Sequence, residues 1–130
     1  MALEYRLRKH ADYQLVYKLA GRKQFGKQMA YFFAVREPDA STSELLTPRV
    51  GLTVGKVMGK AVDRNRIKRR MREAVRHRLA LLQTPVDVIL HPRKSVKDLE
   101  FAVLEREVAG VFRAIQRAAE KQVAATGRGA

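Results

Sequence analysis

Gly51-Leu52-Thr53-Val54-Gly55-Lys56-Val57-Met58-Gly59-Lys60-Ala61-Val62-Asp63-Arg64-Asn65-Arg66-Ile67-Lys68-Arg69-Arg70-Met71-Arg72-Glu73 changes period partway along its length. Val50, Leu52 and Val54 alternate with Gly51, Thr53 and Gly55, the pattern of a half-buried strand over about Arg49–Val54 whose second face is nearly bare of bulk. Gly55 to Gly59 reads as a turn. From about Asp63 to Leu82 the spacing becomes helical, and Ile67, Met71, Ala74, Val75, Leu79 and Leu82 fall on one stripe. Asn65, Arg69, Arg72 and Arg76, spaced 4, 3 and 4, lie together roughly opposite that stripe, with Arg66, Lys68 and Arg70 on its flanks. A strand, a glycine turn and a two-faced helix therefore form the centre of the fold.

The flanking sequence supplies what this unit packs against. Tyr13, Val16, Tyr17 and Ala20 share a helical face over about Lys9–Ala20, and Gly21 is a natural stop. Period two governs about Lys27–Arg36, with Met29, Tyr31, Phe33 and Val35 as the expected core face. Gln28, Ala30, Phe32, Ala34 and Arg36 form the other face, where Phe32 is an aromatic among smaller or polar neighbours. Residues 37–48 are a polar connection bounded by Pro38 and Pro48. A short strand, Val86–Leu90, follows Pro85 and is expected to end before Pro92. A last helix is predicted from about Val96 to Val123, with Ser95 and Asp98 at capping-box spacing. Its stripe is Leu99, Val103, Leu104, Val108, Val111, Phe112, Ile115 and Ala119. The order α-β-β-α-β-α gives the α+β class, a single-domain α-β sandwich of helices on a small sheet. Residues 124–130 read as a disordered tail.

At 130 residues and 46% hydrophobic composition the chain has the makings of one domain with a real core. Its charge is unusual: 27 Lys and Arg against 13 Asp and Glu, a net +14. Residues 56–78 alone hold ten basic and two acidic groups, net +8, so the excess is concentrated rather than spread. Such a block favours a polyanion as partner, either nucleic acid or an anionic membrane surface. The membrane is the poorer fit, because the helix needs its apolar stripe for the core and carries no Trp or Phe to anchor in headgroups. The absence of cysteine excludes disulfide frameworks, thiolate zinc sites and thiol catalysis. No apolar run of about 18 residues exists to span a bilayer. Met1–Lys9 lacks the apolar stretch of a secretory signal. Residues 1–123 are thus expected to form a single polyanion-binding domain of a soluble, cytoplasmic protein.

The arginine face carries the clearest chemistry. Like charges at i,i+4 destabilise an isolated helix by about 0.2–0.5 kcal/mol per pair, and Glu73 alone lies near to offset them. A bound polyanion reverses that sign, and a guanidinium fork meets phosphate oxygens bidentately. The plainer alternative is a solvated charged face, which the scarcity of interleaved Asp and Glu disfavours. For Asn65, a local hydrogen bond near the helix start stands beside ligand contact.

Around Arg64-Asn65-Arg66 the sequence resembles the protein subunit of bacterial ribonuclease P. The family pattern is a Gly-Leu-x-Val strand, a Lys-containing turn, then Ala-Val-x-Arg-Asn-Arg-x-Lys-Arg-x-x-Arg-Glu. This chain matches it with Gly51-Leu52-Thr53-Val54, Lys56 and Ala61 through Glu73. Tyr13-Gln14-x-Val16-Tyr17 and the strand exit at residues 86–94 also fit, so the resemblance covers about residues 6–120. It implies a ribosomal-protein-S5-domain-2-like fold with a left-handed βαβ crossover, against the usual right-handed preference. It also implies a protein that is not itself the catalyst. An RNA subunit would remove the 5′ leader of precursor tRNA using Mg²⁺ that the RNA mainly holds, with no cofactor bound by the protein. By position, Lys56, Lys60, Arg64, Asn65, Arg66, Lys68, Arg69, Arg72 and Arg76 would contact the catalytic RNA. Tyr13, Tyr17, Phe32 and Thr53 would line a cleft for the single-stranded leader. The implied partners are that RNA and the precursor tRNA leader, with no membrane and no obligate protein partner.

The residues themselves point to the same cleft. Phe32 projects from the face opposite the core face, and Gly51, Thr53 and Gly55 leave room for a backbone beside it. Aromatics in a groove flanked by Lys and Arg suit unstacked nucleotides, at about 1–3 kcal/mol per stacked base. Packing of the first helix on the sheet accounts equally for Tyr13 and Tyr17, and Phe32 also reads as a core residue beneath that helix. Two departures from the family stand out: Val57 occupies the place of a frequent second turn lysine, and Tyr13 and Tyr17 stand where Phe is common.

A protein-only nuclease would need clustered carboxylates or a positioned histidine pair. His10, His77 and His91 lie in separate elements, and Asp12, Asp39, Asp63, Asp87 and Asp98 are scattered. No catalytic or metal-ligating residue is therefore expected, and Gly55–Gly59 lacks the spacing of a phosphate-binding nucleotide loop. Two rivals remain. One is a ribosomal-type RNA binder without a processing role. The other is a DNA reader using the arginine helix in a major groove, which lacks a preceding short helix at helix-turn-helix spacing.

Overall fold

The computed structural model describes residues 5–36 and 47–128, with side chains up to residue 125. The expected connection at 37–48 therefore lies mostly outside the described residues. Helix α1 spans His10–Ala20 and ends on Gly21, whose φ of 79° is the left-handed region that glycine enters without steric cost. Strands β1 (Gln24–Phe25), β2 (Met29–Val35), β3 (Arg49–Leu52) and β4 (Val86–Pro92) build one sheet in the order β1-β2-β4-β3. The antiparallel β2–β4 pair runs from Met29 opposite Pro92 to Val35 opposite Val86. Strand β3 is parallel to β4, with helix α2 (Ala61–Arg78) as the crossover. Helix α3 (Phe101–Arg128) closes the chain.

Strand β4 is central, and Val86-Asp87-Val88-Ile89-Leu90 is buried throughout because helices cover both faces of the sheet. One face builds the main core. Met29, Tyr31, Val50, Val88 and Leu90 meet Ile67 and Met71 of α2 and Leu104, Phe112 and Ile115 of α3. The other face carries a second, smaller core in which Ala34 and Ile89 pack with Leu7, Val16, Tyr13, Tyr17 and Phe32 under α1. Ala30 and Ala34 are buried for this reason, although period two assigned them to the outer face of β2. The stripes expected on α2 and α3 mostly pack inward, with Val103 half-buried outside the core cluster; α2 ends at Arg78 rather than Leu82, and a 3₁₀ turn over Leu79–Leu81 carries the chain on.

Further local readings differ from the sequence expectation. Strand β1 was not anticipated; two residues are too few to show a period, and pairing with Ala30 and Tyr31 holds it in place. Pro92 does not stop β4 before itself but is its last residue, level with Met29. The last helix begins at Phe101, after a 3₁₀ turn at Lys94–Lys97. Ser95 Oγ donates to Gln28 Oε1 at 2.5 Å instead of closing a capping box with Asp98. At the other end α3 continues to Arg128, so the helix runs past Val123 into the stretch expected to be a disordered tail. The edge of β3 is covered by the N-terminal segment: Val50 N–H donates to Tyr5 O at 2.8 Å and Leu7 N–H to Val50 O at 3.0 Å.

Candidate nucleic-acid interface

The cations expected on α2 are placed in two different ways. Lys56 sits in a 3₁₀ turn, Lys56–Met58, and Lys60 immediately precedes α2; both are exposed. Lys68, Arg69 and Arg72 have no hydrogen-bond or ion-pair partner among the described residues, nor has the exposed Asn65 side chain, which makes no local cap. The others are tethered. Arg64 Nε reaches Gly59 O at 3.2 Å and Arg66 Nε reaches Lys97 O at 2.9 Å. Arg70 donates to Val96 O at 3.0 Å and also to Leu99 O. Arg76 pairs with Glu73, whose carboxyl its hydrogen bond holds below the usual range. The free cations thus cluster on one part of the helix, while Arg66 and Arg70 pin α2 to the segment that precedes α3.

The turn before α2 presents Val57 79% exposed, the apolar residue in place of a second lysine. Gly59, at φ 124°, lets the chain reverse into the helix.

The aromatic residues meet under α1. The Tyr17 ring packs edge-on against Phe32 with centroids 4.8 Å apart. The Tyr17 hydroxyl and His91 Nε2 share a hydrogen bond at 3.1 Å, and the Phe32 and His91 rings lie 5.4 Å apart. Lys23 Nζ stands 5.9 Å from the Phe32 centroid, a cation over an aromatic face. Burial, assisted by the charge of Lys23, pushes the His91 pKa down and keeps the ring neutral. Sequence reasoning passed over this histidine. The missed signal was register: His91 continues the face of Ile89 and lies opposite Ala30, beside Phe32.

Tyr13 is not grouped with these rings. Its hydroxyl lies 3.5 Å from Leu52 O, and a Cβ on Gly51 would come within 2.6 Å of its ring carbon Cζ. The bare face of Gly51, expected to leave room for a ligand backbone, is filled by Tyr13 instead. Burial raises the Tyr13 pKa, while Arg72 acts on it in the opposite direction. A half-open cavity of about 250 Å³ lies where Tyr13, Gly51 and Arg72 meet the segment Tyr5–Arg8, so the helix cations and the α1 face adjoin. Thr53 is exposed, its N–H donating to Leu90 O at 3.0 Å, which sets it alongside the end of β4. Among the described residues no three His, Asp or Glu side chains form a metal-ligand set.

The Ribonuclease P family profile matches residues 1–116 of this chain. The chain belongs to the family of bacterial ribonuclease P protein components. It is 39% identical over 108 residues to the ribonuclease P protein component of Bacillus velezensis, covering 83% of this chain and 86% of that one. With the Chromohalobacter salexigens protein it shares 37% over 125 residues, 93% and 89% of the two chains. The solved Staphylococcus aureus RNase P protein superposes with a TM-score of 0.69 at 27% identity, over 86% of this chain and 95% of that one. The Thermotoga maritima RNase P protein, at 23% identity and TM-score 0.68, shares the fold over 84% and 96%. As a ribonuclease P protein component the chain is part of an endoribonuclease that processes tRNA. No helix among the described residues is long and apolar enough to cross a membrane.

Proposed function

We propose that this ribonuclease P subunit uses its two surfaces for two RNAs. The α2 side, with Lys56, Lys60, Arg64, Asn65, Arg66, Lys68, Arg69, Arg72 and Arg76, binds the catalytic RNA through its phosphates. The α1 side, with Tyr13, Tyr17, Phe32 and Thr53, receives the single-stranded 5′ leader of precursor tRNA. The RNA subunit performs the hydrolysis with its own Mg²⁺, in the cytoplasm. The observation that carries this reading is the patch of Lys68, Arg69 and Arg72, which no group among the described residues pairs with, adjoining the aromatic face through Tyr13 and Arg72.

Helical like-charge repulsion is a standing cost that an RNA backbone removes, and released counterions make such binding steeply salt-dependent. Phe32 and Tyr17 add stacking surface that tolerates any base. The deciding experiment is single-turnover cleavage of a precursor tRNA at low Mg²⁺, with a cognate catalytic RNA, with and without this protein. Stimulation with the RNA, and no cleavage by protein alone, is expected. Tight RNA binding without stimulation would leave only a passive RNA binder, and cleavage by protein alone would overturn the division of labour.

A further inference from the structure

We propose that His91 is the residue through which the cleft tells one leader nucleobase from another, one nitrogen held by Tyr17 and the other meeting a base edge. The proposal rests on the leader-binding reading and adds a specificity determinant to it.

Strand register puts His91 on the cleft floor. It lies opposite Ala30 of β2 and on the same face of β4 as Ile89, which in turn is opposite Phe32. On its other side the chain leaves β3 at Leu52, level with Leu90, so that Thr53 follows beside His91. The ring is half-buried, with Phe32 5.4 Å and Tyr17 6.1 Å away by centroid. A base stacked on the Tyr17–Phe32 surface would therefore lie within reach of an imidazole edge.

The chemistry of the floor sorts its residues into two kinds. Stacking rings accept all four bases, because each base has a π-face. Discrimination needs a donor or acceptor aimed at a base edge. A neutral imidazole has one of each. The Tyr17 hydroxyl occupies Nε2 at 3.1 Å, while Nδ1 has no partner among the described residues. The Tyr17 bond couples the two nitrogens: when the hydroxyl donates, Nδ1 carries the proton and seeks a base acceptor, and when Nε2–H donates to the hydroxyl, Nδ1 accepts from a base donor. One polar atom without a partner among the described residues thus sits among rings that have none to offer. Burial and Lys23 keep the ring neutral, which preserves one donor and one acceptor.

The test uses holoenzyme reconstituted from this protein and a catalytic RNA, with precursor tRNAs whose leaders differ by one nucleotide at each position, and mature tRNA as control. The wild-type protein is expected to spread the affinities at one leader position by about two- to tenfold, the range of a single hydrogen bond. His91→Phe keeps an aromatic ring without ring nitrogens and should collapse that spread to less than about twofold, with affinity for mature tRNA unchanged. His91→Gln, which keeps a hydrogen-bonding end, should shift the preferred base or retain part of the spread. A wild-type spread that survives in His91→Phe overturns the proposal, as does a uniform loss for every leader, which would make His91 a support for Tyr17. A wild-type protein that binds all leaders equally also overturns it. If leader-bearing and mature tRNA bind alike, it is the leader-binding reading itself that fails.

Discussion

Arginines serve opposite ends in two regions of this molecule. At one end of the sheet, Arg49 grips the buried carboxylate of Asp87 with two hydrogen bonds, 2.9 and 2.7 Å, and reaches Asp12 of α1 at 3.4 Å. Arg36 completes the group 3.2 Å from Asp87 and also donates to Thr47 O. On the outward face of α2, Arg69 and Arg72 have no protein partner at all among the described residues. The side chains are chemically identical. What separates them is whether the fold brings a desolvated acceptor within reach: where it does, the charge is spent on architecture, and where it does not, the charge is kept for a partner.

The largest effect should come from the sheet end. Asp87 is 4% exposed and neutralises two guanidinium groups. Asp87→Ala would leave both beside each other with only the more distant, more exposed Asp12 to offset them, and breaking a buried pair in this way costs about 3–5 kcal/mol. Urea denaturation of the variant should show that loss. A change below about 1 kcal/mol, as for a surface ion pair, would mean that water already screens the cluster and that the contrast with α2 is one of degree.

Within α2 the same contrast can be tested between neighbouring residues. Arg70 is tied to the carbonyls of Val96 and Leu99, so Arg70→Ala should lower stability by about 1.5–3 kcal/mol, the range for hydrogen bonds to charged groups. Its effect on the salt dependence of RNA binding should be small. Arg69→Ala with Arg72→Ala should do the reverse, leaving stability within about 0.5 kcal/mol. The salt slope for the catalytic RNA should then flatten by about one unit per lost phosphate contact. If Arg70→Ala flattened the slope as much as the double variant, the division into structural and RNA-facing cations would collapse.

Much of the fold was legible because its signals are local. The buried stripe of α2, from Ile67 to Val75, and that of α3, from Leu104 to Ala119, follow from helical spacing alone, and they are buried in the fold. The resemblance centred on Arg64-Asn65-Arg66 identified the family that the profile match shows. What sequence could not reveal depends on pairs far apart in the chain. Tyr17 and His91 are 74 residues apart and are joined by strand register. Arg66 and Arg70 look like Arg69 in the sequence, yet their acceptors lie 31 and 26 residues downstream. Tyr13 and the neighbouring Gly51–Leu52 backbone meet across a 39-residue gap, which turned an expected opening into a filled contact. Period two also assumed a sheet covered on one face, whereas α1 makes the second face a core in its own right.

The smallest effect concerns the neutral histidine between the stacking rings. In an unfolded chain a histidine titrates near its ordinary value of about 6.5, whereas in the fold burial and Lys23 hold His91 lower. As pH falls past about 6.5 the unfolded chain takes up a proton that folded His91 still refuses, so acidification favours unfolding. The stabilising contribution is complete above the unfolded value and is lost as pH falls through the folded one. The His91→Gln variant lacks this contribution while retaining His10 and His77, so the difference between the two proteins isolates His91. Denaturation compared at about pH 7.5 and about pH 5.5 should show the wild-type protein losing more stability than the variant. Parallel losses would mean that the ring is fully solvated and that the cleft floor lacks the dry, uncharged character on which base discrimination there depends.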